Sequence, residues 1–315
     1  MNRPLFRTFR ALIFLSALIL ALRGTAAAEF RVLAVQSFRV GPYEDSLAGF
    51  ETACLCRIDR FILSERKGED VSDAVRKTRP DAVLAIGGEA LAAAAEVRRI
   101  PVFYVMALDP PETAARRNNV YGVSMVVSPH AQLEILSSAL PGLRRMGLLY
   151  DPGRMGPFVT AARKVSAGKR VALTEGPLTG AAGAPDALKG MIGDIGAFWL
   201  LPDLTVVTAE TVRHIILTCL TAGVPVIAFS EKYLEMGALM AITFDPRDMG
   251  VQVGQMAVSV LRGDDLPLEA RHRYARRPVT TINPTIARKL GIKIDADALK
   301  TNETHAPNAI KEDPS

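Results

Sequence analysis

The chain has 315 residues, 38 Lys and Arg against 33 Asp and Glu, a net charge of +5 and 6% aromatic residues. Four of the arginines (Arg3, Arg7, Arg10 and Arg23) lie in the first 28 residues, leaving 34 basic and 33 acidic side chains in the other 287. That balance argues against a nucleic-acid partner, which needs a basic patch on the folded domain, and the length suits two lobes with a core each.

In chain order, the first segment reads as an export signal. A basic start precedes a 12-residue apolar run at 11–22, and Ala26, Ala27 and Ala28 then lead to Glu29. The run falls short of the roughly 20 apolar residues of a membrane span. A signal peptide at 1–28 is therefore expected, with a periplasmic destination. Apolar runs at 31–36, 57–63, 82–86 and 102–106 predict strands, separated by helices at 43–52, 71–77 and 89–97. The series then restarts. Strands are expected at 146–150, 170–173, 197–201, 224–229 and 238–243, with helices at 158–164, 184–191, 208–221 and 231–236. A helix at 249–261, a strand at 279–283 and a helix at 284–290 close the pattern, and the polar tail at 295–315 is expected to be disordered. Val-rich strands alternating with helices imply an α/β fold of two Rossmann-like lobes, each a parallel sheet flanked by helices.

Polar and glycine residues recur after these strands. Ser37 follows the first; Gly88 and Glu89 follow the third; Asp109 follows the fourth. In the second series Tyr150 with Asp151, then Asp203, then Ser230 with Glu231 occupy the matching places. Ligands of open parallel sheets bind outside the carboxyl ends of the strands, where helices also begin and present free N–H groups. Ser, Asp and Gly equally serve as caps and turn residues. Their recurrence in both halves favours two such edges sharing one cleft. Phe38, Tyr43, Tyr121 and Tyr150 are candidates for its apolar walls, or for core packing.

Other signals carry less. Cys54, Cys56 and Cys219 read as small buried hydrophobes, and the spacing of the first two is not that of a zinc half-site. The four His show no metal-ligand spacing, so no metal and no cofactor are expected, and no enzyme constellation emerges. Arg271, Arg273, Arg276 and Arg277 read as a solvated linker. Gly250 and Gly254 form a small-residue helix face suited to close packing on a sheet.

Three stretches are more specific: NVYGVS at 119–124, GVPVIAFSEKYLEMGALMA at 223–241, and LRGDDLP at 261–267 together with NPTIARKLG at 283–291. With them, the chain resembles the ABC transporter substrate-binding proteins of the tryptophan/tyrosine type over about 31–292. The resemblance implies a type I periplasmic-binding-protein fold whose lobes are joined by a three-crossing hinge, expected near 122–127, 243–246 and 266–273. It implies an N-terminal lobe at 29–123 plus 244–266 and a C-terminal lobe at 124–243 plus 267–294. Carried over by position, Ser37, Gly88, Glu89 and Asp109 line the first lobe, and Tyr150, Asp151, Asp203, Ser230 and Glu231 the second. The implied protein is a monomer that binds a small polar ligand, an aromatic or other amino acid, and passes it to a membrane ABC permease. The alternative is a sensor subunit that signals ligand occupancy to a membrane kinase or receptor.

Overall fold

The computed structural model describes residues 30–66, 68–108 and 117–294. Strands β1 (Arg31–Gln36), β2 (Arg57–Ile62), β3 (Ala82–Ile86), β4 (Val102–Ala107) and β5 (Val120–Val127) alternate with helices α1 (Gly41–Cys54), α2 (Val71–Thr78) and α3 (Gly88–Ala93). With the later strand β11 (His272–Ala275) they form a six-stranded parallel sheet of order β11-β5-β4-β3-β1-β2. Every residue of β3 and β4 is buried, as expected of strands covered on both faces.

The second sheet has the order β12-β10-β9-β8-β6-β7. Its strands are β6 (Arg145–Tyr150), β7 (Ala172–Pro177), β8 (Ala197–Trp199), β9 (Val226–Ala228), β10 (Met240–Phe244) and the antiparallel β12 (Pro278–Ile282). Its helices are α4 (Pro129–Ala139), α5 (Pro152–Gly168), α6 (Ala184–Met191), α7 (Ala209–Thr221) and α10 (Pro284–Lys289), whereas α8 (Pro246–Leu261) and the short α9 (Leu268–Arg271) lie with the first sheet. Many of these helices start on a side-chain cap that accepts a first-turn N–H: Ser128, Asp151, Thr208, Asp245 and Asn283. In four of the five, proline occupies the first turn, where its missing N–H costs nothing.

Each sheet is covered on both sides by a hydrophobic cluster. Phe50, Phe103 and Val253 center one first-lobe cluster, and Leu33, Phe61 and Tyr104 the other. Trp199, Leu136 and Val159 belong to one second-lobe cluster, and Phe198, Ile215 and Leu188 to the other. Helix α8 crosses α1 at backbone contact. A Cβ on Gly250 would come within 1.8 Å of the Ser46 carbonyl oxygen, and one on Gly49 within 2.0 Å of the Arg247 carbonyl oxygen. The small-residue face of α8 thus packs on a helix, where a sheet was expected.

The chain passes between the sheets three times, always from the carboxyl end of a strand. β5 leads through Ser128 into α4, β10 through Asp245 into α8, and β11 through Arg276 and Arg277 into β12. Connectors of one or two residues cannot reach round a sheet, so the carboxyl edges of the two sheets lie on the hinge side of their lobes and turn toward each other. The third passage falls after β11, beyond the 266–273 stretch expected for it, because His272, Arg273 and Tyr274 pair with Gly122, Val123 and Ser124 of the first sheet. Phe244 packs against cores of both lobes, and Phe158 of α5 meets Tyr274 of β11 edge-on, with ring centroids 6.1 Å apart.

Several expected elements shift. The helix expected at 158–164 begins at Pro152, and the strand expected at 170–173 spans Ala172–Pro177. The helix expected at 231–236 is a single 3-10 turn, Glu231–Tyr233. Strands β5 and β11 and helices α4 and α9 are additional. Cys54 and Cys56, read as small buried hydrophobes, form a disulfide. The left-handed Leu55 (φ 52) ends α1 and turns the chain so that their Cα atoms lie 5.2 Å apart. Cys219 is a free, buried thiol whose pKa burial pushes up to about 12. The signal segment and the tail lie outside the described residues.

Candidate functional site

On the first lobe, β1 delivers Ser37 to the carboxyl edge. Its backbone N–H donates to the Ile86 carbonyl (3.1 Å), its carbonyl accepts from Ser64, and its Oγ accepts the Ala90 N–H of α3 (3.0 Å). Ser37 therefore ties together the loops after β1, β2 and β3, and it is buried. Gly87 makes this closeness possible. Its φ of 100° favours glycine, and a Cβ there would meet Ser37 Oγ and the Tyr43 hydroxyl at under 3 Å. Tyr43, on α1, stacks on Phe38 with ring centroids 5.1 Å apart, and Phe38 is 41% exposed. Burial and the nearby Glu89 charge raise the Tyr43 hydroxyl pKa. Gly88 and Glu89 are exposed beside this aromatic pair.

Three residues brace the edge from below. Gln36 donates to Glu44 Oε1 (2.9 Å), and Arg60 donates to Gln36 Oε1 (2.8 Å) and to both Glu44 oxygens. The Arg60 guanidinium, and then Gln36, hold the Glu44 carboxyl below its ordinary range. Arg39 is engaged by Glu65 at 2.6 Å. Asp109 lies outside the described residues.

On the second lobe, the loops after β6 and β8 are bound to each other. Asp203 is 1% exposed, and each of its oxygens accepts a backbone N–H, from Asp151 (2.6 Å) and Thr205 (2.9 Å). Asp151 caps α5 through the Gly153 N–H (2.8 Å), and its other oxygen accepts the Thr205 hydroxyl (2.9 Å). Two carboxylates thus share one small polar cluster. Tyr150 is buried, and its hydroxyl donates to Glu175 of the neighbouring strand β7 (2.9 Å); Arg163 grips the same carboxylate with two 2.9 Å bonds. The ring is therefore a core residue with its polar end committed to β7. Tyr121 is likewise buried, its hydroxyl donating to the Asn118 carbonyl. Ser230 is half-buried and makes no side-chain bond to the turn it begins. Glu231 is exposed and accepts from Thr281 of β12 at 2.5 Å.

The structure thus brings Ser37, Gly88 and Glu89 together at one edge, and Asp151 with Asp203 at the other. Sequence reasoning passed over Thr205, which bonds both aspartates, and the bracing set Gln36, Glu44 and Arg60. The Asp-x-Thr spacing at 203–205, which suits an Asx turn, was the available signal for Thr205. Leu204, between them, is 63% exposed and adds apolar surface at the same edge. Among the described residues, no three His, Cys, Asp or Glu side chains gather as a metal site, and no helix is long and apolar enough to cross a membrane. A groove of about 370 Å³ beside Leu140, Leu143 and Leu290 also meets Gly196 and Gly223, which precede β8 and β9. It therefore lies at the amino ends of the second sheet, away from the crossings.

Two lobes, each built on a mainly parallel sheet and joined by three short crossings that leave strand carboxyl ends, define a type I periplasmic-binding-protein-like fold. Comparison with solved structures agrees. A ligand-free, open substrate binding protein with adhesive properties from Clostridium difficile superposes with a TM-score of 0.63 at 20% identity, covering 85% of this chain and 97% of that one. The ABC domain in complex with L-Trp from Streptococcus pneumonia gives 0.56 at 19% identity, covering 87% and 98%. A conserved domain protein from Vibrio cholerae gives 0.55 at 21%, covering 86% and 98%. Among curated proteins, the tyrosine-binding protein of Clostridioides difficile (strain R20291) is 22% identical over 209 residues, 64% of this chain and 56% of that protein's length. The model of the family described as "ABC transporter substrate binding protein" matches residues 64–306, more than half of the chain. The chain belongs to that family.

Proposed function

We propose that the protein is the periplasmic solute-binding component of an ABC importer, a monomer that closes on a small polar ligand, an aromatic or other amino acid, and presents it to a membrane permease. What supports this reading is that all three short crossings leave the carboxyl ends of strands, at β5, β10 and β11, which sets both strand-end edges on the hinge side. Closure removes the ligand from water, so each charged ligand group needs a partner. On the second lobe, the Asp151–Asp203 cluster supplies negative charge for an ammonium group. On the first, exposed Phe38 backed by Tyr43 offers a flat apolar wall, and the loops at Ser37 and Gly88 offer small polar contacts. Micromolar affinity needs only about 8 kcal/mol, within reach of a few charge-assisted bonds plus burial. The L-Trp and tyrosine named for similar proteins support an amino acid as the first class to test.

The test is a thermal-shift screen of residues 29–315 against amino acids, sugars and anions. An amino acid present at 100 times its dissociation constant adds about 2.7 kcal/mol to stability. A response to sugars or anions with none to any amino acid would overturn the ligand class. A response unaffected by replacing Phe38 and Leu204 would overturn the cleft assignment.

A further inference from the structure

The hinge passages are fastened unequally. Val127, at the first passage, belongs to the second lobe: its carbonyl accepts from Gln132 (2.8 Å), whose amide oxygen accepts the buried Trp199 indole N–H (2.9 Å). Just before it, β5 bulges against β11, with Ser124 opposite Tyr274 and then Val127 opposite Ala275. Core membership divides at the same place, Met125 packing with the first lobe and Val126 with the second.

The second and third passages are fastened to the first lobe, by residues that a solvated linker would leave free. Arg276 grips Asp248 of α8 with bonds of 2.7 and 2.9 Å, and donates to Gln255 (3.0 Å). Its backbone N–H donates to Gln252, which itself donates to the Tyr274 carbonyl (3.0 Å). Arg277 pairs with Asp245 at 3.3 Å, and the Asp245 N–H donates to the Arg277 carbonyl (3.2 Å). The very next residues, Phe244 and Pro278, pair across the second sheet.

The geometry points to Arg276 as a positioning residue for lobe closure: its fork on Asp248 latches the third passage to α8, so that the lobes pivot at Met125–Val126, Phe244–Asp245 and Arg277–Pro278. The inference deepens the closing-cleft reading and rests on it. Without the fork the third passage is free to bend before Arg276 as well, so the latch sets where the lobes pivot, and through that the balance of open and closed forms, without touching the ligand. It therefore shifts every ligand's apparent affinity by one common factor.

The test places spin labels on Glu69→Cys and Thr179→Cys. These exposed sites follow β2 and β7, the edge strands farthest from the hinge in each sheet. The disulfide and buried Cys219 leave both free for selective labelling. Interlobe distances are measured without ligand in the native background and in Asp248→Asn, Arg276→Gln and Arg276→Lys, the last keeping the charge but losing the fork. The expected result is a broadened or shifted distribution in all three. Apparent affinities for two or more ligands should change by about threefold or more, with their ratio unchanged. A native distribution together with native affinities in the folded variants overturns the latch, as does a changed ratio between ligands. Should Arg276→Gln fail to fold, Arg276→Lys and Asp248→Asn decide. Failure of the native labels to approach on ligand addition refutes cleft closure instead; the ligand-free comparison separates the two.

Discussion

Replacing Asp203 by Asn tests whether the second-lobe edge is prebuilt. The carboxylate is 1% exposed and accepts two backbone N–H groups, from Asp151 at 2.6 Å and Thr205 at 2.9 Å. Asparagine keeps one acceptor and turns an NH2 toward the second N–H, so one bond is lost and a buried donor is left unpaired. A hydrogen bond to a charged acceptor contributes about 1.5–3 kcal/mol, and an orphaned buried donor costs about 1–3 kcal/mol. Relief from burying the charge offsets part of this, and a net loss of about 3 kcal/mol follows. At roughly 2–4 °C per kcal/mol for a domain of this size, the ligand-free melting temperature should fall by about 6–12 °C, and further for Asp203→Ala, which leaves both donors bare. Scanning calorimetry of the ligand-free protein checks this. A change within about 0.5 kcal/mol, as for an ordinary surface substitution, would show that Asp203 does not hold these loops and would refute the reasoning.

Gly250→Ala should destabilise by about 3 kcal/mol or more, because backbone would have to move where α8 and α1 touch, and a lowered urea midpoint would show it. Glu175 is held below the usual carboxylate range chiefly by its bonds to Arg163, then by Tyr150. A depressed folded pKa contributes stability that is complete above the unfolded value of about 4.3 and lost as pH falls through the folded one. The deficit of Glu175→Gln relative to the native protein should therefore be present at pH 7 and shrink toward pH 3, as urea midpoints at the two pH values will show. The Cys54–Cys56 bridge closes a very short loop, so replacing both by Ser should cost only about 1.5 kcal/mol. Thiol titration should find Cys219 inert in the folded native protein and one thiol after unfolding.

Much of the fold was legible because its determinants are local. Buried parallel strands need continuous apolar runs, and 31–36, 82–86 and 102–106 supply them. A cap followed by proline marks the helix start at Asn283, whereas the same signal at Asp151 and Asp245 was passed over and those helices begin before the expected 158 and 249. The strand-end rule then named both edges of the candidate cleft from the order of elements. Strand β11 is only four residues, His272 to Ala275, too short and polar to look like a strand; only pairing with β5 makes it one and moves the third passage past Ala275. Tertiary structure also decided that Tyr150 turns to Glu175, that Asp203 spends its oxygens on N–H groups up to 52 residues away, and that Arg276 and Arg277 are bonded rather than solvated. Propensity and periodicity act between neighbours a few positions apart, whereas hydrogen bonds and ion pairs depend on which distant groups the topology brings within 3 Å.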